Sequence, residues 1–148
     1  MATRNLTNWS DPLFRKKSRL VEKYDERLWT LLDDMRETLE KAGGYGCAAV
    51  HVGVLRRVVV IHGKSGTLEL INPIIIEASE QMQTVKEGSI APDSPHGEVI
   101  RPKSVTVSAF DRHGNEFLSK CEGFLAAVFC HEIGHLDGIL FTDKAVKP

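Results

Sequence analysis

After Asp25 the apolar residues Leu28, Leu32, Met35, Leu39 and Ala42 recur at helical spacing, with polar residues between them. The pattern predicts an amphipathic helix with Asp25 as its N-cap. Gly43-Gly44 ends it, because glycine accepts the left-handed conformation common just past a helix. The rhythm then changes. Arg57–His62 and Leu68–Glu77 are short and β-branched, as strands are. Pro73 puts the second at a sheet edge or a bend, since it cannot donate to a ladder. Val105, Val107 and Ala109 alternate with Thr106 and Ser108, which predicts a half-buried strand, and His113-Gly114-Asn115 reads as a hairpin turn into Glu116–Lys120. Turns this short favour antiparallel pairing. A last helix should run from after Glu122-Gly123 to Gly138. Phe124, Leu125, Val128, Phe129, Ile133 and Leu136 occupy more than one of its faces, so it should lie inside the protein. The expected architecture is α+β. It is a single domain over residues 1–148, with antiparallel sheets packed around a buried C-terminal helix and an N-terminal helix besides.

Composition narrows the function classes. At 42% hydrophobic and 26% charged residues, the 148-residue chain has the make-up of a globular domain rather than a disordered one. A formal charge of −1 supplies no general attraction for nucleic acid or anionic membrane, so neither is expected as a partner. The three cysteines, Cys47, Cys121 and Cys130, lack paired spacing, and the leader MATRNLTNWSDP has no apolar core. Both features point to a reducing, cytoplasmic setting. The aliphatic runs Val58–Ile61 and Ile74–Ile76 are too short to span a bilayer.

The polar residues of the buried helix carry the chemistry. His131-Glu132-Ile133-Gly134-His135 is an HExxH pattern. Residues four apart stand about 40° apart around the axis, so both imidazoles leave one face, one turn apart, and can share a metal ion. Glu132 can reach a water at that ion and act as general base. Two histidines and a glutamate on an apolar helix would be costly to bury without partners, which favours the metal reading over satisfied core histidines. A catalytic site of this type takes a third protein ligand from elsewhere.

Three segments in order identify the chain as similar to the peptide deformylases, metal-dependent hydrolases that remove the formyl group from the initiator methionine of new polypeptides. The family motifs GxGLAAxQ, EGCxS and HExxH are matched by Gly44-Tyr45-Gly46-Cys47-Ala48-Ala49-Val50-His51, by Glu87-Gly88-Ser89-Ile90-Ala91 and by His131–His135. Asp11-Pro12-Leu13, Asn72-Pro73, Arg101-Pro102 and Leu136-Asp137-Gly138 also resemble the family at the expected places, over about 130 residues. The resemblance implies a divalent metal (Fe2+ or Zn2+, with Ni2+ possible) held by His131, His135 and the residue at Ser89. It further implies Glu132 as base, the Ile90 backbone N–H and His51 as oxyanion donors, and Gly44, Gly46 and Ile90 against the substrate.

Four positions depart from the motifs. Ser89 replaces the family's ligand cysteine, His51 its oxyanion glutamine, Cys47 a leucine and Ala91 a serine. A neutral hydroxyl binds metal more weakly than a thiolate. Compensation from His51 as third ligand stands open beside its role as oxyanion donor. Ser89 acting as nucleophile lacks the surrounding glycine elbow. Cys47 reads as core filler, Cys130 as packing, and Cys121, His62, His96 and His113 as surface or loop residues. Two functions follow as expectations. The first is a metal-dependent hydrolase acting on an N-formylated methionyl peptide or related N-formyl amine. The second is a catalytically silent homologue that keeps only the peptide groove.

Overall fold

The computed structural model describes residues 2–63 and 65–146. Its elements are α1 (Glu26–Ala42) and α2 (Phe124–Leu136), with β1 (Gly46–Ala48), β2 (Val58–Gly63), β3 (Gly66–Ala78), β4 (Met82–Glu87), β5 (Gly97–Pro102), β6 (Ser104–Phe110) and β7 (Glu116–Glu122). Both helices fall where the hydrophobic pattern placed them. Asp25 caps α1 by accepting from the N–H groups of Arg27 and Leu28, and Gly43 closes it with a φ of 72°.

The strands form a five-stranded sheet of order β1-β2-β3-β6-β7 and a two-stranded β4-β5 ribbon. All of the pairings are antiparallel. The continuous apolar run of β2 has a simple cause: its two faces are buried against different helices. Val59 and Ile61 join the core built on α2, while Val58 and Val60 join the core built on α1. Strand β6, between β3 and β7, keeps a single buried face, with Val105, Val107 and Ala109 inward and Thr106 and Ser108 half-exposed.

Pro73 resolves as a bend within an inner strand rather than an edge. β3 lies in the middle of the sheet, Asn72 adopts a φ of 51°, and the register shifts between Ile71 and Ile74. Asn72 is held there by the leader: its side chain accepts from Val21 N–H and donates to the Val21 carbonyl. Cys121 corrects the expectation of a surface role. It points inward from β7, is 8% exposed and belongs to the α2 core.

The β4-β5 ribbon had no clear periodic signal, because its exposed and half-buried positions carry mixed residues. It matters because it presents Glu87 and Arg101 to α2. Residues 2–25 contain only a short 3-10 turn at Pro12–Arg15, yet they are firmly seated. Thr7 binds the backbone of Val50 and His51, and Trp9 packs on Phe14 and Phe141.

Candidate functional site

α2 is buried along nearly its whole length, and its three polar side chains are buried with it: His131, Glu132 and His135 are at most 7% exposed. Such groups need partners. His131 finds one on the ribbon, where its Nδ1–H donates to Glu87 Oε1 at 2.7 Å. Arg101 grips the same carboxylate through two bonds of 2.8 and 2.9 Å. Burial pushes the Glu87 carboxyl up, but the Arg101 and His131 bonds outweigh it and hold the group below its ordinary range. Glu87 is therefore a carboxylate, and it fixes the His131 proton on Nδ1. The His131 Nε2 is left as an acceptor, in hydrogen-bond contact with the Nε2 of His135 at 3.2 Å. Two buried imidazoles converging in this way, one of them oriented by a carboxylate, suit a shared divalent cation. Burial and the neighbouring His51 and His131 push the His135 pKa well down, which keeps this ring neutral and able to ligate.

His51 and Ser89 meet beside this pair. Ala48 N–H donates to His51 Nδ1 at 3.0 Å, and on that geometry we assign the proton of the neutral ring to Nε2. The opposite tautomer would use the 3.2 Å contact from Nδ1 to the Ala48 carbonyl and leave Ala48 N–H without that acceptor. The Nε2–H then donates to Ser89 Oγ at 3.0 Å, and Ala91 N–H donates to the same oxygen at 3.1 Å. Burial, with His131 adding to it, pushes the His51 pKa down to about 3. With its free lone pair spent on a backbone N–H, this imidazole is poorly set to act as a base on Ser89.

His51, Glu132 and His135 also bring one ligand-capable atom each within 4.8 Å of one another. In the tautomer above, His51 Nδ1 is already an acceptor for Ala48, so the freer donors are the facing nitrogens of His131 and His135.

Glu132 lies on the cavity side of the helix. Burial pushes its carboxyl up to about 7, against a lowering by His131. Its Oε1 has no hydrogen-bond partner among the described residues. Gly46 makes room for it, since a Cβ there would stand 2.7 Å from Glu132 Cγ. Gly44 does the same for Ile90, whose Cγ2 would be 2.3 Å from an added Cβ.

Gly44, Gly46, Ser89, Ile90, His131 and Glu132 all line one cavity of about 410 Å³. Of the residues singled out in the sequence, His51 and His135 stand behind this wall, and His51 meets the wall at Ser89. The reading missed three contributors. Arg101 orients the site through Glu87, and Tyr45 and Phe124 pack edge to face at the rim, with centroids 4.8 Å apart. His96, expected to have only a loop role, lines the same cavity against Gly88. Arg101 had a signal in the Arg101-Pro102 likeness and Tyr45 in the first glycine-rich motif, whereas nothing pointed to a site role for Phe124 or His96.

A glycine-cleared cavity lined by His131 and a buried glutamate, with His135 facing His131 from behind the wall, is the setting against which known proteins can be compared. The polypeptide deformylase family model matches residues 3–148. The chain belongs to the peptide deformylase family. A peptide deformylase of Caldicellulosiruptor bescii is 50% identical over 99% of this chain and 88% of its own length. Peptide deformylase 1 of Clostridium acetobutylicum is 46% identical over 99% and 97%, respectively. The crystal structure of peptide deformylase from Thermotoga maritima superposes with a TM-score of 0.95 at 31% identity, covering 99% of this chain and all of that one. Peptide deformylases are metallohydrolases, and the described residues of this member include a group with the spacing to hold an ion.

Proposed function

We propose that this chain is a metal-dependent deformylase that releases formate from an N-formylated methionyl peptide or a related N-formyl amine. The observation that carries the reading is the 3.2 Å approach of His131 Nε2 to His135 Nε2, beside a buried Glu132 at the floor of an open cavity. A divalent ion, with Fe2+ and Zn2+ the first choices, supplies Lewis acidity to a formyl carbonyl and to a water. His131 and His135 hold it, with Ser89 Oγ as a weak third donor. Glu132, poised near neutrality, takes a proton from the attacking water and returns it to the departing amine. The Ile90 backbone N–H stabilises the oxyanion, and His51 contributes through Ser89. Gly44, Gly46 and Ile90 shape the wall against the substrate.

One observation favours the silent alternative. A hydroxyl has two acceptor lone pairs, and those of Ser89 already receive His51 and Ala91. Ligation by Ser89 therefore requires one of these bonds to open. Formate release from formyl-methionyl peptides, measured with metal content on anaerobically purified protein, separates the two readings. The hydrolase predicts bound metal and turnover that Glu132→Ala lowers by about 10²–10⁴-fold without emptying the site. Protein that binds no metal on reconstitution and releases no formate is the silent homologue.

A further inference from the structure

A second concavity, of about 780 Å³, opens between the leader, the start of α1 and the segment before β2, and it shares no lining residue with the catalytic cavity. Its charge is unusual for this protein. Of the nine arginines in the sequence, six are ion-paired with carboxylates: Arg4, Arg15, Arg36, Arg57, Arg101 and Arg112. The other three, Arg19, Arg27 and Arg56, have no carboxylate partner among the described residues, and all three line this groove.

Arg19 and Arg56 are exposed and sit side by side in an isolated parallel bridge. Like charges placed so closely are destabilising unless an anion lies between or across them. Lys23 and the paired Arg4 add two further cations to the wall. Two carboxylates oppose them, Glu22 and the Asp25 that caps α1, so the wall carries five cations against two anions.

We propose that this groove binds the phosphodiester backbone of a nucleic acid strand. The cations come from three separate chain segments and line one open concavity, as suits a polyanion that carries several charges. Guanidinium groups match phosphate oxygens in a planar fork. An added peptide strand is disfavoured because the backbone here is already used. Arg19 N–H donates to the Leu55 carbonyl, and Arg57 N–H donates to the Arg19 carbonyl. Leu20, 63% exposed in the same wall, offers an apolar surface for a sugar or base. The formal charge of −1, which argued against such a partner, is an average that conceals this cluster.

The test is fluorescence anisotropy of labelled single-stranded 20-mers of RNA and DNA with the full chain, titrated over a range of KCl. Wild-type protein should bind both, with a dissociation constant of about 10⁻⁴–10⁻⁶ M at physiological salt. The Arg19→Ser/Arg27→Ser/Arg56→Ser variant should bind at least about tenfold more weakly, with a salt slope shallower by about 2 for three lost phosphate contacts. Its formate release or metal content should match wild type, because none of the three touches the catalytic cavity, and its thermal midpoint should be no lower, because the repulsion between Arg19 and Arg56 is removed. A variant with the same charge loss elsewhere, Lys41→Ser/Lys103→Ser/Lys120→Ser, should keep the affinity. The proposal fails if wild type does not bind at low salt, if both triple variants lose affinity equally, or if polyglutamate of equal charge binds as tightly.

Discussion

His51 Nε2 stands 3.0 Å from Ser89 Oγ, so the glycine-rich segment before β2 and the segment after β4 touch through two side chains. The two therefore act as a unit, with the imidazole N–H occupying a lone pair that the proposed ligation by Ser89 would need. Ser89→Cys should tighten metal binding, measured by competition with a chelator, and should raise formate release. In a double-mutant cycle with His51→Gln, the two sites should be coupled by about 0.5–3 kcal/mol. Strict additivity would mean that the hydrogen bond has no bearing on the metal.

Gly46 is the position at which space limits chemistry. The Cβ of Gly46→Ala would lie 2.7 Å from Glu132 Cγ and 2.8 Å from Oε2, so the carboxylate must move. Formate release should fall by at least about tenfold and stability by about 1–3 kcal/mol, while metal content stays unchanged because neither histidine is disturbed. Loss of the metal along with activity would show that the histidines had shifted too.

Glu87 supports both the fold and the metal. Glu87→Gln keeps the volume but removes the charge that Arg101, 5% exposed, relies on. Breaking a buried pair in this way costs about 3–5 kcal/mol. The loss of the bond to His131 should weaken metal binding by about 10–100-fold. Denaturant midpoints and chelator competition read the two effects separately, and unchanged metal affinity would show that His131 is oriented without Glu87.

Acid should loosen the seat of the leader. Burial pushes the Asp34 carboxyl up, yet Ala2 N–H and the Arg4 guanidinium, at 2.9 Å each, more than offset this and hold it below its ordinary range. A carboxyl with a lowered folded pKa contributes stability above its unfolded value of about 3.9, and that stability is lost as the pH falls through the folded value. Stability should therefore decline below about pH 4. Asp34→Asn should flatten part of the decline, the remainder belonging to Glu87, Asp111 and Asp143, whose shifts have the same sign. The protection of the Ala2 amide, which donates to Asp34, should fall with acid in wild type, and a variant that declines as steeply as wild type would assign the acid loss elsewhere.

The sequence was most legible where one physical signal dominated. The stripe from Leu28 to Leu39, the glycine stop at Gly43 and the all-round apolarity of α2 each have a single structural solution. Glu87, Ser89, His131 and Glu132 were found through short motifs. Their partnerships were harder to foresee. Nothing local in Met82–Glu87 or Gly97–Pro102 announces a ribbon, and the salt bridge from Arg101 to Glu87 exists only once that ribbon has paired. The contact between His51 and Ser89 likewise joins residues 38 positions apart. Pro73 marked a bend, but its place inside the sheet depends on Asn72 being held by Val21, a contact across 51 residues. Cys121 hid in a strand whose outward neighbours are polar.

Trp9 and Phe14, near the start of the chain, lie against the ring of His135, with centroid separations of 6.5 and 5.3 Å. The leader thus forms the rear panel of the reaction chamber despite having scarcely any regular structure. Anything that lifts it, including a fusion tag, a protease cut or an acidic compartment, would let water in from behind and spoil the dryness on which the buried glutamate depends.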